Sequence, residues 1–394
     1  MPPTVDSSGF PDRRAFPWLL IFRAGGLACG WPQLVISFLA ATVFLLGLLI
    51  LRWTFPADSI LDDPHLSPVR LVLIQKATGS ITPVPRNEKM IEALDTLALP
   101  WTSLRLPLMQ LFFGQSAVAD NRSRLATVLS LAWSLAVWSL FGVALCRAVA
   151  TQIATDESES LPNCLRDASG KWFSAVGAPA ILALAILGLA LGLIVAGWIG
   201  RAPLLGSPFL TIVSPLLFLT SLLAAFFTVV ILFGWPLMMA ALGVEHCDAF
   251  GALSRSYSYL TGRPLLTVWQ AALSLLYGGV LILFVAAIIT AGLMFLSRTI
   301  AGPVGSLERW AVVMTGADYT ARLFLCTFSV GLFWSLATIN YLLLRQAVDQ
   351  KPIHEISSAD ESGRVPPELP IVGIAATDYR PAADSSSPLT TDSK

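Results

Sequence analysis

Six stretches of the chain, residues 34–51, 125–146, 176–199, 209–244, 265–296 and 323–344, are apolar over roughly the width of a bilayer and contain no Asp, Glu, Lys, Arg or His. About 20 helical residues cross a hydrocarbon core of about 30 Å, and the backbone polar groups of such a segment must bond within it because no water is there. The expected fold class is therefore an all-α membrane protein, a bundle of six transmembrane helices joined in places by short interfacial elbow helices. The composition agrees, with 55% hydrophobic residues and 13% charged against the roughly 25% charged of soluble domains. The 25 basic and 25 acidic residues cancel, and none lies in a run. No broad basic face is left to attract nucleic acid or anionic lipid. The bilayer is the expected partner, with a second copy of the chain or another membrane protein as the further candidate.

Short-loop charges set the orientation. With the N-terminus in the cytosol, the inside segments hold Arg13, Arg14 and Arg23, then Arg147, Arg166 and Lys171, then Arg255 and Arg263, then Arg345 and Lys351. The short outside loops hold Arg201 in one case and Arg298, Arg309 and Arg322 in the other. Cysteine placement points the same way: Cys29, Cys146, Cys164 and Cys247 fall on the cytosolic side, where thiols stay reduced, and only Cys326 lies nearer the outer face. Pro2, Pro3, Pro11 and Pro17 precede the first run and no small-residue cleavage site follows it before Arg52, so that run reads as a retained signal anchor.

The chain then divides into a cytosolic N-terminus with an elbow (1–32), a six-span domain (33–351) with an external loop (52–124), and a cytosolic tail (352–394). The tail is rich in Ser, Asp and Pro without apolar periodicity, which predicts disorder. The fourth run, 209–244, is too long for one span and short for two. It reads as one span with overhang, entered near Pro215 and kinked or ended at Gly234-Trp235-Pro236. Two spans there would place the C-terminus outside.

A triplet recurs at the cytosolic starts of the odd-numbered spans: Gly30-Trp31-Pro32, Gly177-Ala178-Pro179 and Gly262-Arg263-Pro264. Each follows an amphipathic stretch, 16–29, 161–173 and 248–259. Gly suits the end of one helix and Pro the first turn of the next. The expectation is three units, each an elbow helix followed by a two-span hairpin. In the external loop, 69–75 has the composition of a strand and 87–99 carries helical apolar spacing. Residues 101–113, interrupted by Pro107 and carrying Arg105, read as an interfacial segment, with a re-entrant one as the alternative.

Gly188, Gly192, Ala196 and Gly200 stand four residues apart and form a small-residue face, which suits close helix packing within one subunit or at a homodimer seam. Glu245, His246, Cys247 and Asp248 are adjacent potential ligands, yet neighbours on a helix point about 100° apart and cannot all reach one ion. A juxtamembrane turn with Asp248 capping the next helix is the expected reading. His65 with Asp62 and Asp63 reads as loop surface, and Asp156, Glu157 and Glu159 as a solvated loop start. Phe250, Leu253, Tyr257 and Leu260 recur at helical spacing on the third elbow, which lays it on the membrane and turns Arg255 and Tyr257 toward headgroups or a cytosolic partner. Arg255 and Arg263 serve equally as topology signals.

Ion-coupled carriers keep ionisable groups inside their spans, whereas these cores offer only neutral polar residues such as Gln270, Ser274, Ser335 and Asn340. No His-Glu-x-x-His, Gly-x-Ser-x-Gly, Walker loop or dinucleotide fingerprint occurs, so no catalytic, cofactor or metal residues are assigned.

The run Phe233-Gly234-Trp235-Pro236-Leu237, Glu245, Ala252 to Tyr257 and Arg263-Pro264 resembles the elbow of uncharacterised bacterial six-span proteins. It is similar to the membrane domain attached to some glycerophosphodiester phosphodiesterases. The resemblance implies a helical bundle with cytosolic elbows and no phosphodiesterase activity, since the catalytic domain has no counterpart here. The expected function is that of a non-enzymatic scaffold or envelope factor of a bacterial cytoplasmic membrane, and the alternative is a carrier or channel for neutral or lipidic solutes.

Overall fold

The computed structural model describes residues 17–55, 86–113, 121–157, 159–203, 206–303 and 305–353. The strand expected at 69–75, the group at His65 and the tail beyond 353 lie outside them. A 3-10 turn (Pro17–Arg23) leads into α1 (Ala24–Ala28) and α2 (Trp31–Thr54), followed by α3 (Arg86–Leu97), α4 (Leu99–Phe113) and α5 (Asn121–Thr155). Then come α6 (Leu161–Ile199), α7 (Gly206–Glu245), α8 (Ala249–Gly262), α9 (Pro264–Ile300) and α10 (Leu307–Asp349). Among the described residues no strand forms. Six helices, α2, α5, α6, α7, α9 and α10, are long and apolar enough to cross a membrane, as the hydropathy pattern requires.

The fourth apolar run is one helix, since α7 continues through both Pro215 and Pro236. An interior proline deprives the carbonyl four residues before it of a donor, and each freed carbonyl here finds another. Ser214 donates its hydroxyl to Thr211 O at 2.9 Å, and Trp101 donates its indole N–H to Leu232 O at 2.7 Å. With both carbonyls satisfied inside the protein, neither proline ends the helix.

Two of the three expected elbows form. Gly30 caps α2 with Pro32 in its first turn, and Arg263 ends α8 immediately before Pro264 starts α9. The second does not separate: α6 runs unbroken from Leu161 through Gly177-Ala178-Pro179 to Ile199. Ala175, Ala178 and Pro179 are buried there, and packing against neighbours supports the helix across its one missing bond. A Gly-x-Pro triplet thus marks a break only where the chain on either side has no shared surface to keep it straight.

The spans pair in chain order as hairpins, α2 with α5, α6 with α7, and α9 with α10. α10 is the most buried of the six and packs against α2, α5, α7 and α9, while the most apolar stretch of α7 is largely exposed. The packing is concentrated toward the elbow end of the bundle, where α7 is buried nearly continuously from Val230 to Val244. Toward the opposite, loop end, α7 keeps a half-buried stripe through Leu210, Val213, Leu217, Thr220, Ala224 and Phe227 and exposes most of its other positions. The outer halves of α9 and α10 are exposed in the same way. Two hairpin arms therefore stand apart at that end.

The segment 101–113 does not stay on the outside of the bundle; its first turns pack into it. Leu94 and Leu97 of α3 fill the space beside Gly279 and Gly278 of α9, and Trp138 of α5 donates to the Ser103 hydroxyl at 2.8 Å. Gly278 lies roughly 21 Å along α9 from its start at 1.5 Å per residue, near the middle of that apolar run. Ala93, Leu97, Leu99, Thr102 and Ser103 are buried. The helix breaks at Ala98 because Pro100 has no N–H to give, and the threonine and serine hydroxyls bond back to Leu99 O and Pro100 O. The two hydroxyls thus bond to the backbone beside the bend rather than standing unpaired at span depth.

Candidate functional site at the elbow end

The residues at the end of α7 and along α8 and α10 form one ionic cluster, buried at Glu245, Tyr341 and Arg345 and open at Asp349. Tyr341, Arg345 and Asp349 are spaced by four on α10, and Arg255 and Tyr259 by four on α8, so each set shares a helix face. Glu245, the last residue of α7, stands between those faces with its side chain 6% exposed. Arg255 forms an ion pair with it, Arg345 lies 3.7 Å away with only 2% exposure, and the Tyr341 hydroxyl donates to Glu245 Oε1 at 2.8 Å.

A carboxylate at a helix C-terminus opposes the helix dipole, and burial raises that cost further. The two guanidinium groups offset both effects. Tyr259 donates to Asp349 Oδ2, its ring lies 5.5 Å from that of Tyr341, and burial together with the Asp349 carboxylate pushes its phenol up to about 12. It remains a donor throughout the physiological range. Arg345 also donates to Pro352 O at 3.2 Å, tying the chain beyond α10 to the cluster.

A second cluster borders the first. Glu159 pairs with Arg147 at 3.3 Å and accepts from Thr151 at 2.8 Å, so this residue is a partly buried ion-pair member rather than a solvated one. Asp156 pairs with Arg23 on the exposed surface at 3.2 Å. His246 adopts φ 49, a left-handed conformation that ends α7, and Lys171 donates to its carbonyl at 2.8 Å. Burial, with Arg147 the next largest cause, lowers the His246 imidazole from its ordinary value. The crevice between Arg147, Asp167, Lys171 and His246 has no room for a water molecule.

Of the residues singled out from the sequence, Glu245 and Arg255 belong to the cluster. Arg255 is turned inward onto Glu245, a correction to its expected outward role, because Glu245 offers a desolvated carboxylate one helix away. Tyr257 stays 45% exposed, stacked edge-on 6.4 Å from Phe226, and Phe250 and Arg263 are exposed. Asp248 caps α8 by accepting from Gly251 N at 2.9 Å, as expected. Glu245, His246, Cys247 and Asp248 diverge, and among the described residues no three His, Cys, Asp or Glu side chains converge as metal ligands. In the small-residue face Ala196 is buried and Gly200 abuts Leu210, but Gly188 and Gly192 face open space, so intramolecular packing covers only half of it. Asn340 accepts from Ser274 at 3.0 Å, joining α9 to α10.

Sequence reasoning missed Tyr259, Tyr341, Arg345 and Asp349. Their signal was present as the four-residue spacing of polar residues at the polar end of an apolar helix. Comparison of the chain with protein-family models, curated proteins and solved structures finds no match.

Proposed function

We propose that this protein is a non-enzymatic scaffold or envelope factor of a bacterial cytoplasmic membrane, with both termini in the cytosol and the elbow end as its working surface. The observation that supports this most is the cluster around Glu245, which fastens α8 to α7 and α10 and leaves Phe250, Tyr257 and Arg263 outside. A helix held by buried ion pairs presents one fixed face, which is what a docking surface for another membrane protein or a second copy requires. The filled packing at that end supports the same reading.

A photo-crosslinker placed at Phe250 in native membranes tests it: a recurrent protein adduct is expected, diminished by Glu245→Gln. Labelling of lipid alone would contradict it. The second reading, a carrier of neutral or lipidic solutes, is favoured by one observation, the re-entrant α3 and α4 between diverging arms. Solute flux in proteoliposomes containing the purified chain would favour it.

A further inference from the structure

We infer that Arg105 is the anchor of a binding site for a phosphate-bearing anion within the membrane, with the headgroup of an anionic phospholipid as the ligand. Arg105 lies on α4, one turn beyond Trp101, and Trp101 is bonded to Leu232 O deep in α7. It is thus about 6 Å along the helix axis from a residue at span depth, and the apolar residues Leu106, Leu108 and Leu111 still follow it before α4 ends. An ionisable group at such a depth needs a counter-charge.

Among the described residues Arg105 has neither a hydrogen bond nor an ion pair. Its Nε is buried without a partner, and its guanidinium stacks over the Trp101 ring, 4.9 Å from the centroid. The indole face holds the guanidinium as a cation without using any of its N–H donors, and a guanidinium fork matches two oxygens of one phosphate. Arg105 as a whole is half-buried, and among the described residues the two fully buried arginines, Arg147 and Arg345, each face a carboxylate. Arg105 alone of the three is left to an external anion.

The surroundings suit a lipid. Trp101 packs 6.3 Å from Phe233, a side chain of α7 that is exposed to the outside of the bundle although its neighbours Leu232 and Gly234 are buried. Acyl chains have apolar surface there to lie against, and the headgroup reaches the guanidinium from the side.

The test uses the full-length protein in nanodiscs containing equal amounts of phosphatidylglycerol and an uncharged galactolipid without phosphate, followed by native mass spectrometry. Retention of phosphatidylglycerol is expected to exceed that of the galactolipid by at least about fivefold. Arg105→Gln removes the preference, and Arg105→Lys keeps part of it, since the charge remains without the planar fork. A benzophenone side chain at Met109, one turn along α4, labels phosphatidylglycerol in the otherwise unaltered chain, so the result does not depend on either arginine variant folding. Glycerol phosphate added to detergent-solubilised protein distinguishes the sources: displacement of lipid by it would assign the site to a soluble phosphate. Equal retention of the two lipids without displacement by glycerol phosphate, or an undiminished preference in a folded Arg105→Gln protein, would overturn the inference.

Discussion

The indole N–H of Trp101 donates at 2.7 Å to the carbonyl of Leu232, the one oxygen that Pro236 leaves without its helical donor. The re-entrant segment and the proline of the fourth span therefore complete each other: α4 is held at depth by the bond, and α7 passes through Pro236 without an orphaned carbonyl. Trp101→Phe removes the donor and keeps most of the packing. It is expected to cost about 1–3 kcal/mol, read as a lower melting temperature in detergent. In a Pro236→Ala background, where residue 236 supplies the N–H itself, the same substitution is expected to cost measurably less. Equal costs in both backgrounds would break the link between the two residues.

Glycines of the spans divide by what surrounds them. A Cβ at Gly47 would fall 2.0 Å from the Trp133 indole, and that ring is held by its own bond to Phe44 O at 3.3 Å. Gly47→Ala is therefore expected to destabilise by about 1–3 kcal/mol. Gly192→Ala, with nothing within 4 Å, should be neutral in the monomer. Thermal melts of the two variants side by side provide the check, and a larger loss at Gly192 would mean that its face is covered in the assembled protein.

The imidazole of His246 is lowered in the folded state, chiefly by burial. The unfolded chain then binds the proton more readily than the folded one, so stability falls as pH drops below about 6.5 and is flat above it. His246→Asn retains a residue tolerant of positive φ and removes the titration. Melting temperature measured from pH 7.5 to 5.5 is expected to show a shallower decline in that variant than in the parent chain.

Sidedness rests on the short-loop arginines and on the grouping of both elbows with the end of α10. Reporter fusions after Ile60 and at the C-terminus are expected to report opposite sides, periplasmic and cytosolic. A cytosolic report after Ile60 with a periplasmic C-terminus would reverse the assignment, and the same side for both would mean that 209–244 crosses twice.

The six spans were legible because hydropathy over a bilayer's width is a local property of each run. Other features depend on partners remote in sequence. Residues 101–113 look interfacial by length, and the packing of their first turns depends on the Leu232 carbonyl that Pro236 frees, more than a hundred positions away, and on Trp138, while Gly278 and Gly279 make room for the preceding α3. The elbow at 248–259 was legible from Asp248 and the Gly-Arg-Pro boundary. The inward turn of Arg255 was not, because it depends on a cluster completed by Tyr341, 96 residues from Glu245. The same triplet at 177–179 misled because packing keeps α6 straight through it.

Hydrogen exchange of α8 in nanodiscs, compared between the parent chain and Glu245→Gln, tests most directly whether the elbow is a fixed surface. Loss of the carboxylate leaves Arg345 buried and Arg255 without its anchor, a defect of about 3–5 kcal/mol for a buried pair. The amides of residues 252–262 are expected to be protected in the parent and to exchange at least about tenfold faster in the variant while those of α10 stay slow. Equal protection of α8 in both proteins would show that the Glu245 cluster does not hold the elbow, and the proposed docking surface would lose its support.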